Sequence, residues 1–166
     1  MSTYERDFIQ AYHDNADALF RYCLFKVSDR ERAIDLVQEC FTKTWSYVAE
    51  GKTVDSFKPF LYRTLNNLII DEYRRKKDTS LDALVDQGFD VGMDPREALL
   101  DSLDGKRAVA LLQKLPEEYR EVIYLRFVDG LSFAEIADAT GENTNTLTVR
   151  AHRGIKKLKE LITYGY

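Results

Sequence analysis

SFAEIADATGENTNTLTVRAHRG, residues 132–154, places two helical patterns on either side of one glycine. Ser132 followed by Glu135 predicts a capping box, in which the serine oxygen and the glutamate carboxylate each satisfy an orphan amide at a helix start. FAEIADAT then makes about two turns. Gly141 ends it, because a tight reversal needs a residue that tolerates positive φ. Asn143 or Thr144 caps the next helix. In that helix Leu147, Ala151, Ile155 and Leu158 share a face. The opposite face carries Asn145, Thr148, Val149, His152, Arg153 and Lys156, with Arg150 at its margin. A short helix, a glycine turn and an amphipathic helix with a basic outer face make a helix-turn-helix. Its second helix fits a major groove, with the first turns at base edges and Arg153, Lys156 and Lys157 on phosphates. A plain helical hairpin with a solvated face shares the periodicity but does not call for capping box, glycine and basic helix together.

The whole chain argues against a nucleic-acid reader, since its 166 residues carry a formal net charge of −4. The distribution resolves the conflict. Between Asp78 and Asp104 eight acids stand against one base, Arg96, so that segment nets −7 and the remainder nets +3. Residues 60–77 hold five bases and two acids, and so do residues 142–162. Two basic patches flank an acidic strip, and local potential, not the sum, steers binding to phosphates.

Apolar residues recur at helical spacing almost throughout, and strict alternation is rare. Helices are expected from about Glu5 to Val27, from the SDRER turn to about Val48, and from about Phe57 to Lys76 with Pro59 in the first turn. Along the second, Ile34, Val37, Phe41, Trp45 and Val48 are expected inside, and Asp35, Gln38, Glu39 and Thr42 outside. EGKTVDS, residues 50–56, reads as a loop. Residues 78–95 are acidic and carry Gly88, Gly92 and Pro95, so they read as a linker. Helical spacing resumes near Arg96 and leads to Leu115; Pro116 then opens a helix that closes at Gly130. With 45% hydrophobic residues the chain can fill packed cores. No run of eighteen apolar residues and no secretory signal are visible, and Cys23 and Cys40 read as reduced core thiols, so a cytoplasmic protein is expected.

FLYRTLNNLIIDEYRRKK, residues 60–77, mixes aromatics, amides and a basic tail. Rings stack on unpaired bases, amides read base edges and arginines follow the backbone. Phe60, Arg63, Asn67, Arg74 and Lys77 fall along one broad side; the same segment also reads as a core of Phe60, Leu61, Leu65, Leu68 and Ile69 under ordinary surface.

DLVQECFTKTW (35–45), FLYRTLNNLIIDEYRR (60–75) and LPEEYREVIYLRFVDGLSFAEIADATG (115–141), in that order, resemble a bacterial sigma-70-type RNA polymerase sigma factor of the extracytoplasmic-function (ECF) group. The resemblance runs from about Phe8 to Leu161. It implies an all-α fold of two small helical domains joined by an acidic linker: sigma region 2 over 5–77, linker 78–104, and the sigma region 4 helix-turn-helix over 105–163. It implies that Asp35, Gln38, Glu39 and Thr42 meet the clamp helices of core RNA polymerase. Lys52, Phe60, Arg63, Asn67, Arg74 and Arg75 would bind the minus-ten element as it melts, Asn67 holding a flipped-out base. Asn143, Thr144, Asn145, Thr148, Val149, Arg150, His152, Arg153 and Lys156 would read the minus-thirty-five element as duplex. Partners implied are core polymerase, promoter DNA as duplex and melted strand, and an anti-sigma factor. The linker would thread toward the polymerase's RNA path, where a −7 strip mimics a polyanion; a merely solvated spacer remains open. Phe60 stands where relatives often carry tryptophan, which keeps the stacking face and removes the indole N–H. Asn145, Leu147 and Val149 depart from the usual recognition helix, so no relative's promoter sequence carries over.

Other classes explain less. A helix-turn-helix regulator acting without promoter melting would use residues 116–162 and leave the DLVQE face idle. A sequestering protein would keep that face and have no use for Asn67. An enzyme is not expected: His13 and His152 are far apart, and two cysteines cannot complete a four-ligand zinc site. The aspartates at 78, 82, 86, 90 and 94 lack the alternation of a calcium loop. No cofactor or metal is expected.

Overall fold

The computed structural model describes residues 1–79 and 103–164, and among them every element is helical. The chain divides into two compact units, Met1–Pro95 and Arg96–Tyr166. The linker expected over 78–104 lies outside the described residues except at its ends, which are helical.

The first unit is three helices: α1 Thr3–Val27, α2 Arg30–Ala49 and α3 Phe57–Thr79. α1 begins before the expected Glu5 because Ser2 and Glu5 form a capping box. Glu5 N–H donates to Ser2 Oγ at 3.2 Å and Ser2 N–H donates to Glu5 Oε2 at 2.7 Å. Ser28 closes α1 at φ 55°, and Asp29 then caps α2 by accepting from the Arg32 N–H at 3.1 Å.

The buried stripe of α2 is Ala33, Leu36, Val37, Cys40, Phe41, Thr44 and Val48. This corrects the expected stripe, because Ile34 and Trp45 are both 39% exposed. Size misled the reading. α2 is held between α1 and α3, and the small side chains Ala33, Cys40 and Thr44 are the ones that let neighbouring helices approach. Their polar atoms are satisfied: Thr44 O–H donates to the Cys40 carbonyl at 2.9 Å, and Cys40 S–H donates to the Leu61 carbonyl at 3.4 Å. Burial pushes both the Cys23 and Cys40 thiols up to about 12. α3 contributes Leu61, Tyr62, Leu65, Leu68 and Ile69 to the core. Tyr22 and Tyr62 meet edge to face at 5.5 Å, both fully buried, and Tyr22 O–H donates to Asn66 Oδ1 at 2.7 Å.

The second unit holds α4 Leu103–Leu112, α5 Glu117–Ile123, α6 Phe133–Thr140 and α7 Thr144–Tyr164. The helix expected to run straight to Gly130 instead widens after α5 into a π turn, Tyr124–Val128. Val122 to Leu125 are all buried there. Gly130 (φ 73°) reverses the chain, Ser132 and Glu135 form the expected capping box, and Gly141 ends α6 at φ 77°. α7 buries Leu147, Ala151 and Gly154. Ile155 and Leu158, expected on the inner face, are only half-buried.

Candidate polymerase and nucleic-acid interfaces

Asp35, Gln38, Glu39 and Thr42 all lie exposed along one edge of α2. Thr42 O–H donates back to the Gln38 carbonyl at 2.9 Å. Asp35, whose side chain is 62% exposed, accepts from Arg32 at 3.3 Å. Arg32 also donates to Glu72 on α3, and Arg75 donates to the same carboxylate oxygen at 3.2 Å. The Glu72 side chain is only 9% exposed. Burial alone would push it up, but the hydrogen bond and charge of Arg32, with Arg75 and Lys76, hold it below the usual carboxylate range. Arg32 is correspondingly raised, chiefly by its hydrogen bond to Glu72. One acid from the body of α3 thus ties the exposed edge of α2 to the basic end of α3. Between them Glu39, Lys43, Asp71, Arg74 and Arg75 line a groove of about 420 Å³ floored by Leu36 and Leu68.

At the other end of the same helix pair lie Lys52, Phe60, Arg63 and Asn67. Lys52, Arg63 and Asn67 are exposed and Phe60 is half-buried. Asn66 points into the core and Asn67 outward, so the two amides are split between structure and surface. The Arg63 guanidinium stands over the Phe60 ring at 5.4 Å. Phe60 faces Tyr47 of α2 at 5.0 Å, and Lys52 stands over Tyr47 at 5.0 Å. Lys52 also pairs with Glu50 at 2.8 Å, which raises its pKa. Phe60 is therefore on the rim, not in the core, whereas Leu61, Leu65, Leu68 and Ile69 are core. The reading of the sequence had no place for Tyr47; its spacing from Phe60 is visible only once α2 and α3 are paired.

In the second unit Asn143 is the residue that caps α7. Its side chain accepts from the Asn145 N–H at 2.7 Å and its carbonyl from Leu147 at 3.0 Å. Thr144, Asn145, Val149, His152, Arg153 and Lys156 are exposed, and Thr148 and Arg150 are half-buried. Thr148 O–H is satisfied by the Thr144 carbonyl at 2.8 Å. Asn145, Thr146, Val149, Arg150 and Arg153 line a groove of about 440 Å³ with Glu118 and Tyr119. Arg150 is paired at 3.3 Å with Glu142, a residue the sequence reading did not single out. Gly154 was missed as well: a Cβ there would fall 2.4 Å from Ile123 Cδ1 and 3.1 Å from Tyr119 Cβ, so its lack of a side chain lets α7 lie close against α5. Among the described residues no group of three His, Cys, Asp or Glu is gathered for a metal, and no helix is long and apolar enough to cross a membrane.

Known proteins divide along the same line. The family described as sigma-70 region 2 matches residues 11–79, and sigma-70 region 4 matches residues 106–158. The RNA polymerase sigma factor SigV of Bacillus subtilis is 30% identical over 150 residues, 90% of this chain and 87% of the relative. The ECF RNA polymerase sigma factor SigW of the same organism is 29% identical over 164 residues, 93% of this chain and 86% of that one. The chain belongs to the ECF group of sigma-70 RNA polymerase sigma factors. This sigma factor therefore carries both regions through which the family binds RNA polymerase and directs initiation at promoters. Its fold is similar to the sigma factor RpoE crystallised with the anti-sigma factor NepR from Bartonella quintana, at a TM-score of 0.77 and 26% identity over 95% of this chain and 98% of that one. CnrH, solved with the cytosolic domain of CnrY, shares the fold at a TM-score of 0.67 and 23% identity over 98% of this chain and 91% of that one.

Proposed function

We propose that this sigma factor docks on core polymerase through Asp35, Gln38, Glu39 and Thr42, opens the minus-ten element with Lys52, Phe60, Arg63, Asn67, Arg74 and Arg75, and reads the minus-thirty-five duplex with residues of α7 from Asn143 to Lys156. The observation that carries the reading is the separation of exposed faces on the first unit: an acidic and amide edge on α2, and an edge of rings, cations and an outward amide where α2 meets α3. A base can be read on all its edges only after it leaves the stack, at a cost of a few kcal/mol. A small protein offsets little of that alone, so melting is shared with the polymerase to which the first edge docks. The domains are 5–77, linker 78–104 and 105–163. The chain makes and breaks no bonds itself, and its place of action is the cytoplasm. An anti-sigma factor is a third partner, supported by the similar RpoE structure with NepR.

The test is run-off transcription with bacterial core polymerase on genomic fragments. Protein-dependent transcripts with a shared upstream sequence are expected. Asp35→Arg is expected to abolish them while folding stays intact, and Asn67→Ala to abolish them on duplex templates more than on premelted ones. Transcription indifferent to Asp35→Arg would favour a helix-turn-helix regulator that works without this docking.

A further inference from the structure

We propose that Tyr47 is a DNA-contacting residue, the second ring of a two-step stacking platform for unpaired bases whose first ring is Phe60. The proposal rests on the minus-ten assignment above and adds to it a residue from α2.

Four groups follow one another across the seam between α2 and α3. Lys52 Nζ lies 5.0 Å from the Tyr47 ring centre; the Tyr47 and Phe60 rings lie 5.0 Å apart, tilted by 47°; and the Arg63 guanidinium lies 5.4 Å from the Phe60 ring centre. The order is cation, ring, ring, cation. Lys52 and Arg63 are exposed, and both rings are half-buried. Asn67 follows Arg63 by one helical turn, so the outward amide continues the same edge.

A second pair of rings in the same unit shows what a structural pair looks like here. Tyr22 and Tyr62 meet at 5.5 Å and are fully sealed, with Tyr22 O–H bonded to Asn66. Tyr47 and Phe60 sit at similar spacing but keep surface open to solvent. Open rings flanked by cations have the chemistry of a single-strand site: rings take base faces without regard to sequence, and the cations take the phosphates between them. Lys52 is held in the meantime by Glu50 at 2.8 Å, an anion in the place a phosphate would take. With both rings in use the platform reaches from α3 across to α2, long enough for more than the one base that Phe60 alone would carry.

The experiment uses the full chain bound to bacterial core polymerase and a mixed-sequence single-stranded DNA pool carrying 2-aminopurine. Tyr47→Leu is expected to weaken binding about tenfold, the loss typical of one stacked base. It should also remove part of the fluorescence quenching, with the slope of log affinity against log salt unchanged. Tyr47→Phe is expected to behave as the unsubstituted protein. Arg63→Ala should instead flatten the salt slope, because it removes a phosphate contact. Should Tyr47→Leu fail to fold, photocrosslinking of the unsubstituted holoenzyme to 5-bromodeoxyuridine DNA decides: adducts on Tyr47 support the proposal, and adducts confined to α3 overturn it. Unaltered affinity and quenching in Tyr47→Leu, with Arg63→Ala and Asn67→Ala weakened, would overturn the proposal and leave the minus-ten assignment standing. If Arg63→Ala and Asn67→Ala were also silent, the assignment itself would fall.

Discussion

The two units handle their exposed cations differently. In the first, four cations of α2, α3 and the loop between them have a ring or a buried carboxylate beside them: Lys52 by Tyr47, Arg63 by Phe60, and Arg32 and Arg75 on Glu72. In the second, Arg126 likewise stands over Phe127 and Phe133, but along α7 His152, Arg153 and Lys156 stand out to solvent and Arg150 pairs with Glu142. On the proposed function, the difference follows from the target. A melted strand is flexible and offers base faces, so its binding edge must be built from rings and held rigid from behind. A duplex is already rigid and presents base edges in a groove, so one helix with a polar ridge suffices, provided its inner face packs firmly. Rigidity thus sits in an ion-pair cluster in one unit and in a close helix contact in the other.

The sharpest way to break this contrast is at Gly154. Valine there would drive carbon atoms into Ile123 and Tyr119, which already leave no room for a Cβ. Overpacking of this kind costs about 3 kcal/mol, far more than the helix propensity a non-glycine residue returns. Urea unfolding should show the loss, and hydrogen exchange should place it in α5, α6 and α7 while α1 to α3 keep their protection. Loss of protection spread over both units would mean that they do not stand on separate cores. Alanine, needing only a shift of the Ile123 tip and a small yield at Tyr119, should lose much less.

The counterpart in the first unit is Glu72→Gln. The substitution keeps the shape and removes the charge that Arg32 and Arg75 share, at an expected cost of about 1–3 kcal/mol at neutral pH. The folded pKa of Glu72 lies below its ordinary value of 4.5. A carboxylate depressed on folding contributes its full stability above the unfolded value and loses it as pH falls through the folded value. The difference between the unsubstituted chain and Glu72→Gln should therefore be constant near neutrality and shrink below about pH 4.5, as chemical denaturation at a series of pH values would show. A difference independent of pH would mean that Glu72 acts by shape and not by charge.

Much of this was legible in the sequence, and the misses share a cause. The box of Ser132 and Glu135, the turn at Gly141 and the exposed edge of α2 all rest on local spacing, which one chain segment contains in full. The inner stripe of α2 was misjudged because periodicity was weighted by residue size, while Ala33, Cys40 and Thr44 are buried for being small. Tyr47, Glu72 and Gly154 act through residues on other helices: Phe60, Arg32, and Ile123 with Tyr119. No spacing rule within a helix reports such pairs. The π turn at Tyr124–Val128 left no such local mark, since Val122 to Leu125 are buried in succession just as Tyr22 to Phe25 are in the regular helix α1.

The smallest expected effect is the most informative about the outer face of α7. Arg150 is half-buried and its pairing with Glu142 spans the turn between α6 and α7. An exposed pair of this kind contributes about 0.2–1 kcal/mol, so Glu142→Gln should barely move the unfolding midpoint. Its effect on DNA should be larger than its effect on the fold. The Glu142 carboxylate repels phosphate and occupies Arg150, one of the two guanidinium groups that line the groove with Glu118. Removing that charge should raise affinity for duplex DNA and steepen the salt dependence by roughly one counterion, the signature of one added phosphate contact. If affinity rose with no change in the salt slope, the released Arg150 would be reading a base edge and not a phosphate.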